Sequence, residues 1–377
     1  MAIKASTTFS LKDRLFNANT LAQLAGNVEI AAPEFNRAGF ERATLAAFPQ
    51  LELKERITCM VEQLAVFLPG DFEAVRKILL KALPPPLDPT LSDADFGQYI
   101  WVVPGEYIAT HGLSERYLQR SLHFLRESTK RFSAEHAIRP FLKHFPEKSL
   151  NFLATCATAR NYHVRRLASE GTRPLLPWSP RVALPQGPVL ELLNTLHADP
   201  TRYVTRSVAN HINDISKSDP DQVLATLARW QESRQQEASE LAWSVRHRLR
   251  TLQDRGHPTA LKMLGFPTKP RLTLSNLTVT PRVKLGGALD VQFDITSKSD
   301  QDLVLVLKIY FLKANSKWKP KIFRIAQWSA SKGEKAHFSK SQSFKPITTR
   351  ALYPGAHRLE LIANGKRLAD VPFQFAA

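Results

Sequence analysis

Two helical segments between residues 201 and 252 each carry an apolar stripe opposite a polar one. A 3.6-residue period places residues separated by three, four and seven positions on one helix face. The first polar stripe consists of Asn210, Asn213, Asp214 and Lys217, and the second of Trp243, Arg246, His247 and Arg250. Ordered donors of this kind can hold phosphate groups, and a fixed carboxylate can stabilise developing positive charge.

The spacing of these segments suggests a repeat. Ser207-Val208 recurs as Ser244-Val245, 37 residues later, which is the period of a two-helix unit. Helical apolar spacing, interrupted by proline and glycine, continues back through the chain to about residue 8. Helix pairs that cannot bury their apolar faces alone stack on one another. We therefore predict an all-α, HEAT-like helical solenoid over residues 1–268, with the polar stripes on its concave face.

Composition changes at about residue 269. Alternating and β-branched runs separated by Gly, Ser, Asn and Pro predict about seven strands and a small all-β, immunoglobulin-like sandwich over residues 269–377. Neither cysteine lies in this segment, so the sandwich would lack an inter-sheet disulfide. Residues 271–377 hold 18 Lys and Arg against 7 Asp and Glu, a net charge of +11.

The charge of the whole chain narrows the class of partner. The 377 residues carry a formal net charge of +18, spread along the sequence, so a folded basic surface that meets a polyanion is expected. Cys59 and Cys156 lack metal-ligand spacing, so we predict no metal and a reducing, cytoplasmic location. No apolar run is long enough to span a bilayer, and residues 1–16 show no secretory signal. A monomer is the default expectation.

Several blocks of the helical segment resemble one known family. They are RFSAEHAIRPFL (131–142), RRLASEGTRPLLPW (165–178), SVANHINDISK (207–217) and WSVRHRLRTLQDRGHPTALKMLG (243–265), supported by LELKERI (51–57) and GLSERYLQRSLHFL (112–125). Together they resemble the DNA alkylation-repair glycosylases of the AlkC/AlkD type, the AlkC branch in particular. The resemblance covers about residues 8–266, and the C-terminal sandwich resembles the immunoglobulin-like extension of some members.

This resemblance implies an activity and a set of residues. It implies hydrolysis of the N-glycosidic bond of cationic alkylated bases in duplex DNA, above all 3-methyladenine and also 3-methylcytosine and 1-methyladenine, without base flipping and without a cofactor. The catalytic side chains would be Glu135, Glu170, Asp214 and Trp178. Beside the two polar stripes, Arg139, Arg166 and Arg173 would contact DNA.

Such residues suit the chemistry. A cationic base is already a good leaving group, so the enzyme must stabilise an oxocarbenium-like sugar and present water, and carboxylates do both. Trp178 could stack on a sugar or a cationic base.

Structural explanations remain open for the same residues. Glu135 and Arg139 could form an i,i+4 salt bridge on one helix, and Asp214 could solvate its helix or cap a neighbour. Trp178 could plug a core edge, and Trp243 could pack. His211 would be structural or solvent-facing, and Trp101 and Trp230 would be core. The rival functions are a non-catalytic scaffold that binds nucleic acid or protein and, less favoured, an RNA-binding protein.

Overall fold

The computed structural model describes residues 10–91, 93, 96–346 and 351–376. Residues 1–9 lie outside the described residues. They form part of the segment in which the sequence shows no secretory signal. The chain divides into two compact units, Met1–Asp214 and Ile215–Ala377. The helices are α1 (Leu11–Leu15), α2 (Ala18–Ala31), α3 (Arg37–Ala47), α4 (Leu53–Phe67), α5 (Phe72–Ala82), α6 (Val102–His111), α7 (Leu118–Ser128), α8 (Arg139–His144), α9 (Pro146–Ala157), α10 (Tyr162–Gly171), α11 (Gln186–Leu196), α12 (Arg202–Ile215), α13 (Pro220–Ser233), α14 (Ala238–Asp254) and α15 (Pro258–Met263).

Local sequence explains where many helices begin. Asn17, Asn36, Asp71 and Asn161 each precede a helix, and each side chain accepts a hydrogen bond from a backbone N–H of the first turn. These N–H groups have no partner inside the helix, so such caps stabilise its start. The helical structure predicted back to about residue 8 is confirmed within the described residues, from α1 to α15.

The first unit is built by packing between helices that lie near one another in the chain. Helix α4 packs against α3 and α6, and α9 packs against α8, α10 and α11. This neighbour-to-neighbour packing is what stacked helix pairs produce. Trp101 is 5% exposed and belongs to the core, as predicted.

The second unit contains α13–α15 and a sandwich of two sheets. The strands are β1 (Leu272–Val279), β2 (Arg282–Lys284), β3 (Ala288–Ser297), β4 (Gln301–Leu312), β5 (Trp318–Ala330), β6 (Lys335–Ser343), β7 (Gly355–Ala363) and β8 (Lys366–Ala376). One sheet has the order β1-β3-β6 and the other β2-β8-β7-β4-β5, with β2 parallel to β8 and the other pairs antiparallel. Within the described residues there are eight strands rather than about seven, because the short β2 and the polar β6 carry little apolar pattern.

Strand β4 is buried on both faces, which explains its almost continuously apolar sequence. Leu303, Leu305 and Leu307 face the sandwich core. Val304 and Val306 lie on the other face, where they pack with Leu261 of α15 and with Phe266. A strand buried on both faces needs an unbroken apolar run.

This contact joins the last helices to the sandwich. Gly256 and Gly365 also meet there: a Cβ on Gly256 would lie 2.2 Å from the Gly365 Cα. The described helices therefore end, and the strands begin, near the predicted boundary at residue 268, yet α15 shares a core with the sandwich. The boundary itself stays a prediction.

Candidate functional site

Glu135 lies in the turn before α8 rather than in a helix. Its Oε2 accepts hydrogen bonds from Ser133 Oγ and from Arg166 Nη1, each at 2.8 Å. The predicted alternative, a helical i,i+4 pair with Arg139, is wrong because Pro140 sits in the first turn of α8 and the helix begins only at Arg139. The Glu135 side chain is 18% exposed, so solvent can reach the carboxylate.

Helix α10 places a second carboxylate behind the first. Glu170 sits in the last turn of α10, which ends at Gly171 as the sequence indicated. Its Oε1 accepts a 2.6 Å hydrogen bond from Arg173 Nη1, and its Oε2 accepts one of 2.6 Å from Ser207 Oγ. Arg166, one turn earlier, lies 3.6 Å from the same carboxylate. The side chain is only 5% exposed, so Glu170 is a buried, fully partnered anion.

Helix α12 brings in the third carboxylate. Asp214 Oδ2 accepts from Arg173 Nε at 3.0 Å and lies 2.8 Å from Arg173 Nη2. The Asp214 side chain is 3% exposed. Solvation of the helix, one of the structural explanations for Asp214, is therefore excluded.

The three acids and two arginines form one chain of alternating charge, which we call the carboxylate–arginine network: Glu135, Arg166, Glu170, Arg173 and Asp214. Arg166 also lies with its guanidinium carbon 4.5 Å from the centre of the Tyr203 ring. A buried ion of one sign is tolerated only when others compensate it. The network therefore holds two buried acids as anions and leaves Glu135 at its solvent-reachable end.

The electrostatics agree with this arrangement. Burial opposes ionisation of Glu170, but Arg166 and Arg173, together with the Ser207 hydroxyl, outweigh it and lower the pKa of the carboxyl. The same carboxylates raise the pKa of Arg166 and Arg173 against the effect of burial. His211, fully buried with Nδ1 2.9 Å from the Ser169 carbonyl oxygen, has its pKa lowered by burial to about 4. It is therefore neutral and structural.

Arg139 binds backbone carbonyl groups of the protein, whereas the sequence predicted that it contacts DNA. Its guanidinium donates to the carbonyl oxygens of Gly171 and Arg173, both at 2.9 Å, and to that of Pro180 at 2.7 Å. The residue is 3% exposed. Arg139 thus fixes the start and the end of the loop that follows α10.

That loop presents Trp178. The side chain is 60% exposed, and the backbone φ of 62° is in the left-handed region. Such a conformation costs a non-glycine residue roughly 1–2 kcal/mol. It is held by Lys54 Nζ, which donates to the Trp178 carbonyl oxygen, and by Ser179 Oγ, 2.5 Å from His136 Nδ1. The suggestion that Trp178 plugs a core edge is therefore wrong for its side chain.

His136 connects this loop to the network. Its Nε2 lies 3.8 Å from Glu135 Oε1 while its Nδ1 meets Ser179. Glu135 and Trp178 are each one residue from this imidazole–hydroxyl contact, so the fold brings the exposed carboxylate and the exposed indole to one region. Burial lowers the pKa of His136, which favours the neutral ring.

The remaining predicted residues of the first stripe are not equally placed. Asn213 is 2% exposed, Asn210 is half-buried and Lys217 is exposed. This polar face is therefore largely buried, because Asp214 belongs to the network.

The second stripe lies on α14 and is open. Arg246 is exposed, while Trp243, His247 and Arg250 are half-buried. The rings of Trp243 and His247 stack at 5.2 Å between centroids with 20° between their planes. Between these residues Arg248 points inward, fully buried, with its guanidinium carbon 4.8 Å from the Trp230 ring centre. Trp230 is core, as predicted.

Sequence reasoning missed several supporting residues. Ser133, His136, Tyr203 and Ser207 each touch the network or its loop. Only Ser207 stood out beforehand, through the repeated Ser-Val pair. The others lie on turns or on helix faces without a distinctive pattern, so their roles depend on tertiary contacts.

The described part of the chain has neither a metal-binding cluster nor a membrane-spanning helix. There, no group of three or more His, Cys, Asp or Glu side chains is arranged to hold a metal ion. None of its helices has the length and apolarity needed to cross a bilayer. Cys59 and Cys156 are both buried free thiols.

Known proteins share the architecture of this chain. A family model described as "Uncharacterised protein YhaZ, C-terminal Ig-like domain" matches residues 273–377. YhaZ of Bacillus subtilis is 32% identical over 365 residues, which is 96% of this chain and 98% of that protein. The solved structure of the alkylpurine DNA glycosylase AlkC of Pseudomonas fluorescens, bound to DNA containing an abasic site analog, is 31% identical with a TM-score of 0.80. That alignment covers 98% of this chain and 100% of AlkC. The resemblance found in the sequence is thereby confirmed, and the chain belongs to the AlkC branch of the DNA alkylation-repair glycosylase family, with an immunoglobulin-like C-terminal domain.

Proposed function

We propose that this protein is a DNA glycosylase that removes cationic alkylated bases from duplex DNA by hydrolysing the N-glycosidic bond. The substrates are 3-methyladenine above all, with 3-methylcytosine and 1-methyladenine, and the base stays in the duplex rather than being flipped out. The protein acts as a cytoplasmic monomer without a cofactor. The observation that carries the proposal is the network, in which two buried arginine-bound acids support one carboxylate that solvent can reach.

Within this proposal the three acids have different tasks. Glu135 is the catalytic carboxylate, because it combines ionic support from Arg166 with an exposed edge. It stabilises the sugar as positive charge develops and accepts a proton from the attacking water. Glu170 and Asp214 are positioning residues, since both are enclosed by arginine and neither has an exposed edge comparable to that of Glu135.

Trp178 supplies the second element of the site. Its exposed ring can stack on the sugar or on the cationic base, a contact worth roughly 0.5–2 kcal/mol. The hydrogen bonds of Lys54 and Arg139 to the loop carbonyls keep the indole in place before DNA arrives.

Duplex binding is assigned to exposed basic side chains. Arg246 on α14 is one contact, with His247 and Arg250 beside it. The β4–β5 hairpin of the sandwich is another, because Lys317, Lys319 and Lys321 flank Trp318, which is 52% exposed. Phosphate contacts of this kind fix position without reading sequence.

The test is base release. Wild type, Glu135→Gln and the control Glu191→Gln, an exposed glutamate on α11, are incubated with duplexes that carry one 3-methylcytosine or 1-methyladenine. Methylated genomic DNA serves for 3-methyladenine. We expect Glu135→Gln to lose about 10²–10³-fold in the rate of release, the scale of removing one transition-state stabiliser, while duplex affinity is retained. Glu191→Gln should match wild type.

Two outcomes would contradict this assignment. A folded, DNA-binding wild type that releases no base from any of these substrates would overturn the proposal and favour the non-catalytic scaffold. Full activity in Glu135→Gln would move catalysis to another carboxylate of the network.

A further inference from the structure

A cavity of ≈ 470 Å³ in the first unit is lined by His136 but not by Glu135. Its walls come from α4, α8 and the 3-10 turn Tyr99–Trp101 with α6, and the Trp178 loop closes one side. The size falls within the range of small-ligand sites, about 300–1,000 Å³. The proposed hydrolysis uses none of the polar groups on its floor.

The floor of the cavity is aromatic and held in place by ring packing. Tyr99 is half-buried, and its ring packs edge-on against Phe16 at 5.4 Å and Phe132 at 5.0 Å. Val102 and Trp178 also line the cavity. Two aromatic side chains at one cavity suit a planar ring as ligand.

One carboxyl group faces this floor. Glu106 of α6 lines the cavity, and among the described residues its carboxyl group has neither an ion pair nor a hydrogen bond. Burial raises the pKa of Glu106 to about 7, against the opposing charge of Lys54. Near neutral pH this carboxyl can therefore either donate or accept a hydrogen bond, as the edge of a nucleobase requires.

The rim has the opposite character. Lys54, Lys143 and Arg181 are exposed at the mouth of the cavity. A cationic rim over an aromatic floor is the arrangement that binds a base together with its phosphate.

We propose that this cavity binds a single unstacked nucleobase, with Glu106 pairing to its polar edge and Tyr99 stacking on one of its faces. The inference rests on the proposed function for its ligand class. The base can come from two sources: it is the base released by hydrolysis, or it is a base still attached to DNA, such as the one left unpaired opposite the lesion.

The experiment uses the fluorescent base 2-aminopurine and does not depend on catalysis. In one arm free 2-aminopurine is titrated with the full-length protein, and stacking in the cavity should quench its emission. In the other arm a duplex carries 2-aminopurine opposite an abasic-site analog, and entry of this base into the cavity should change its emission. The variants are Glu106→Leu, Glu106→Gln and Thr58→Phe, which narrows the cavity from an exposed position. The control is Glu62→Leu, an exposed glutamate on α4.

In the arm that shows a response, we expect Glu106→Leu and Thr58→Phe to weaken binding at least tenfold. Glu106→Gln should stay within about threefold of wild type because an amide still pairs with the base edge, and Glu62→Leu should be unchanged. A response of the free base identifies the released product as occupant, and a response of the duplex identifies an attached base. Equal signals from wild type, Glu106→Leu and Thr58→Phe in both arms would overturn the inference. Because no turnover is measured, an inactive protein that still binds 2-aminopurine would overturn only the proposed function.

Discussion

Helices α12 and α14 have the same arrangement of apolar and polar residues in sequence, but the polar side is largely buried on α12 and open on α14. Each pairs an apolar stripe with a polar stripe, and each has a Ser-Val step at the same place in the pattern. On α12 the polar side includes Asp214, which is buried beneath Arg173. On α14 the corresponding side remains open at Arg246. Periodicity reports that a face is polar, and the neighbours of the helix decide whether that face meets water.

The difference has energetic consequences. Breaking a buried charge pair leaves an uncompensated ion and costs about 3–5 kcal/mol, whereas an exposed pair contributes about 0–1 kcal/mol. The network on α10 and α12 should therefore govern stability and positioning together. The stripe on α14 should act through additive, salt-sensitive contacts.

The largest effect is expected when the central arginine of the network is removed. Arg173→Met leaves Glu170 and Asp214 without their shared partner, so we expect a loss of about 3–5 kcal/mol in the free energy of unfolding. Adding Asp214→Asn should restore part of it, because one of the two anions that Arg173 compensated disappears. Urea unfolding followed by circular dichroism measures both.

The matched control is an exposed ion pair. Arg120, whose side chain is 57% exposed, pairs with Glu73 at 3.2 Å. Arg120→Met should cost less than about 1 kcal/mol. If Arg173→Met were no more damaging than Arg120→Met, the buried network would not differ from surface charge and the comparison would fail.

An intermediate effect is expected from pH, through His211. Its folded-state pKa of about 4 lies below the ordinary value of 6.5. At pH values between these two, His211 binds a proton in the unfolded chain but not in the folded chain. The free energy of unfolding therefore decreases as the pH falls from about 6.5 towards 4. His211→Gln should remove up to about 3 kcal/mol of this pH dependence. The lowered pKa of Glu170 acts in a more acidic range, below its ordinary value of 4.5.

Unfolding free energies at several pH values between 7 and 4 provide the measurement. His123→Gln, at an exposed position on α7, serves as control and should keep the wild-type slope. Identical slopes for wild type and His211→Gln would show that the imidazole binds its proton equally in the folded and unfolded chain and would contradict its burial.

The smallest effect is expected on the open stripe. Arg246→Ala should leave stability unchanged and weaken duplex binding a few-fold. It should flatten the dependence of log affinity on log salt by about 0.9 if one phosphate contact is lost. Fluorescence anisotropy across a salt series measures this, with Lys262→Ala on α15 as an exposed comparison. An unchanged salt slope for Arg246→Ala would remove α14 from the DNA-binding surface.

Much of the architecture could be predicted from the sequence because it depends on local rules. Caps such as Asn17 and Asp71, together with the 3.6-residue spacing, determine where α2 and α5 form. The alternation of Leu289, Val291, Phe293 and Ile295 determines the inward face of β3. Where such patterns are weak, as in the polar β6, the prediction missed the element.

The candidate site could likewise be predicted only in part from the sequence. Family resemblance and residue type selected Glu135, Glu170, Asp214 and Trp178 from the sequence. Only the tertiary structure determined that Arg166 and Arg173 enclose two of the acids, that Glu135 keeps an exposed edge, and that Trp178 points outward. Glu170 pairs with Arg166 and Arg173 only three or four residues away, but the links to Glu135 and Asp214 join residues 31 and 41 positions apart, so no local pattern encodes the whole network. The same holds for the cavity at Glu106, whose walls come from helices that carry no shared motif.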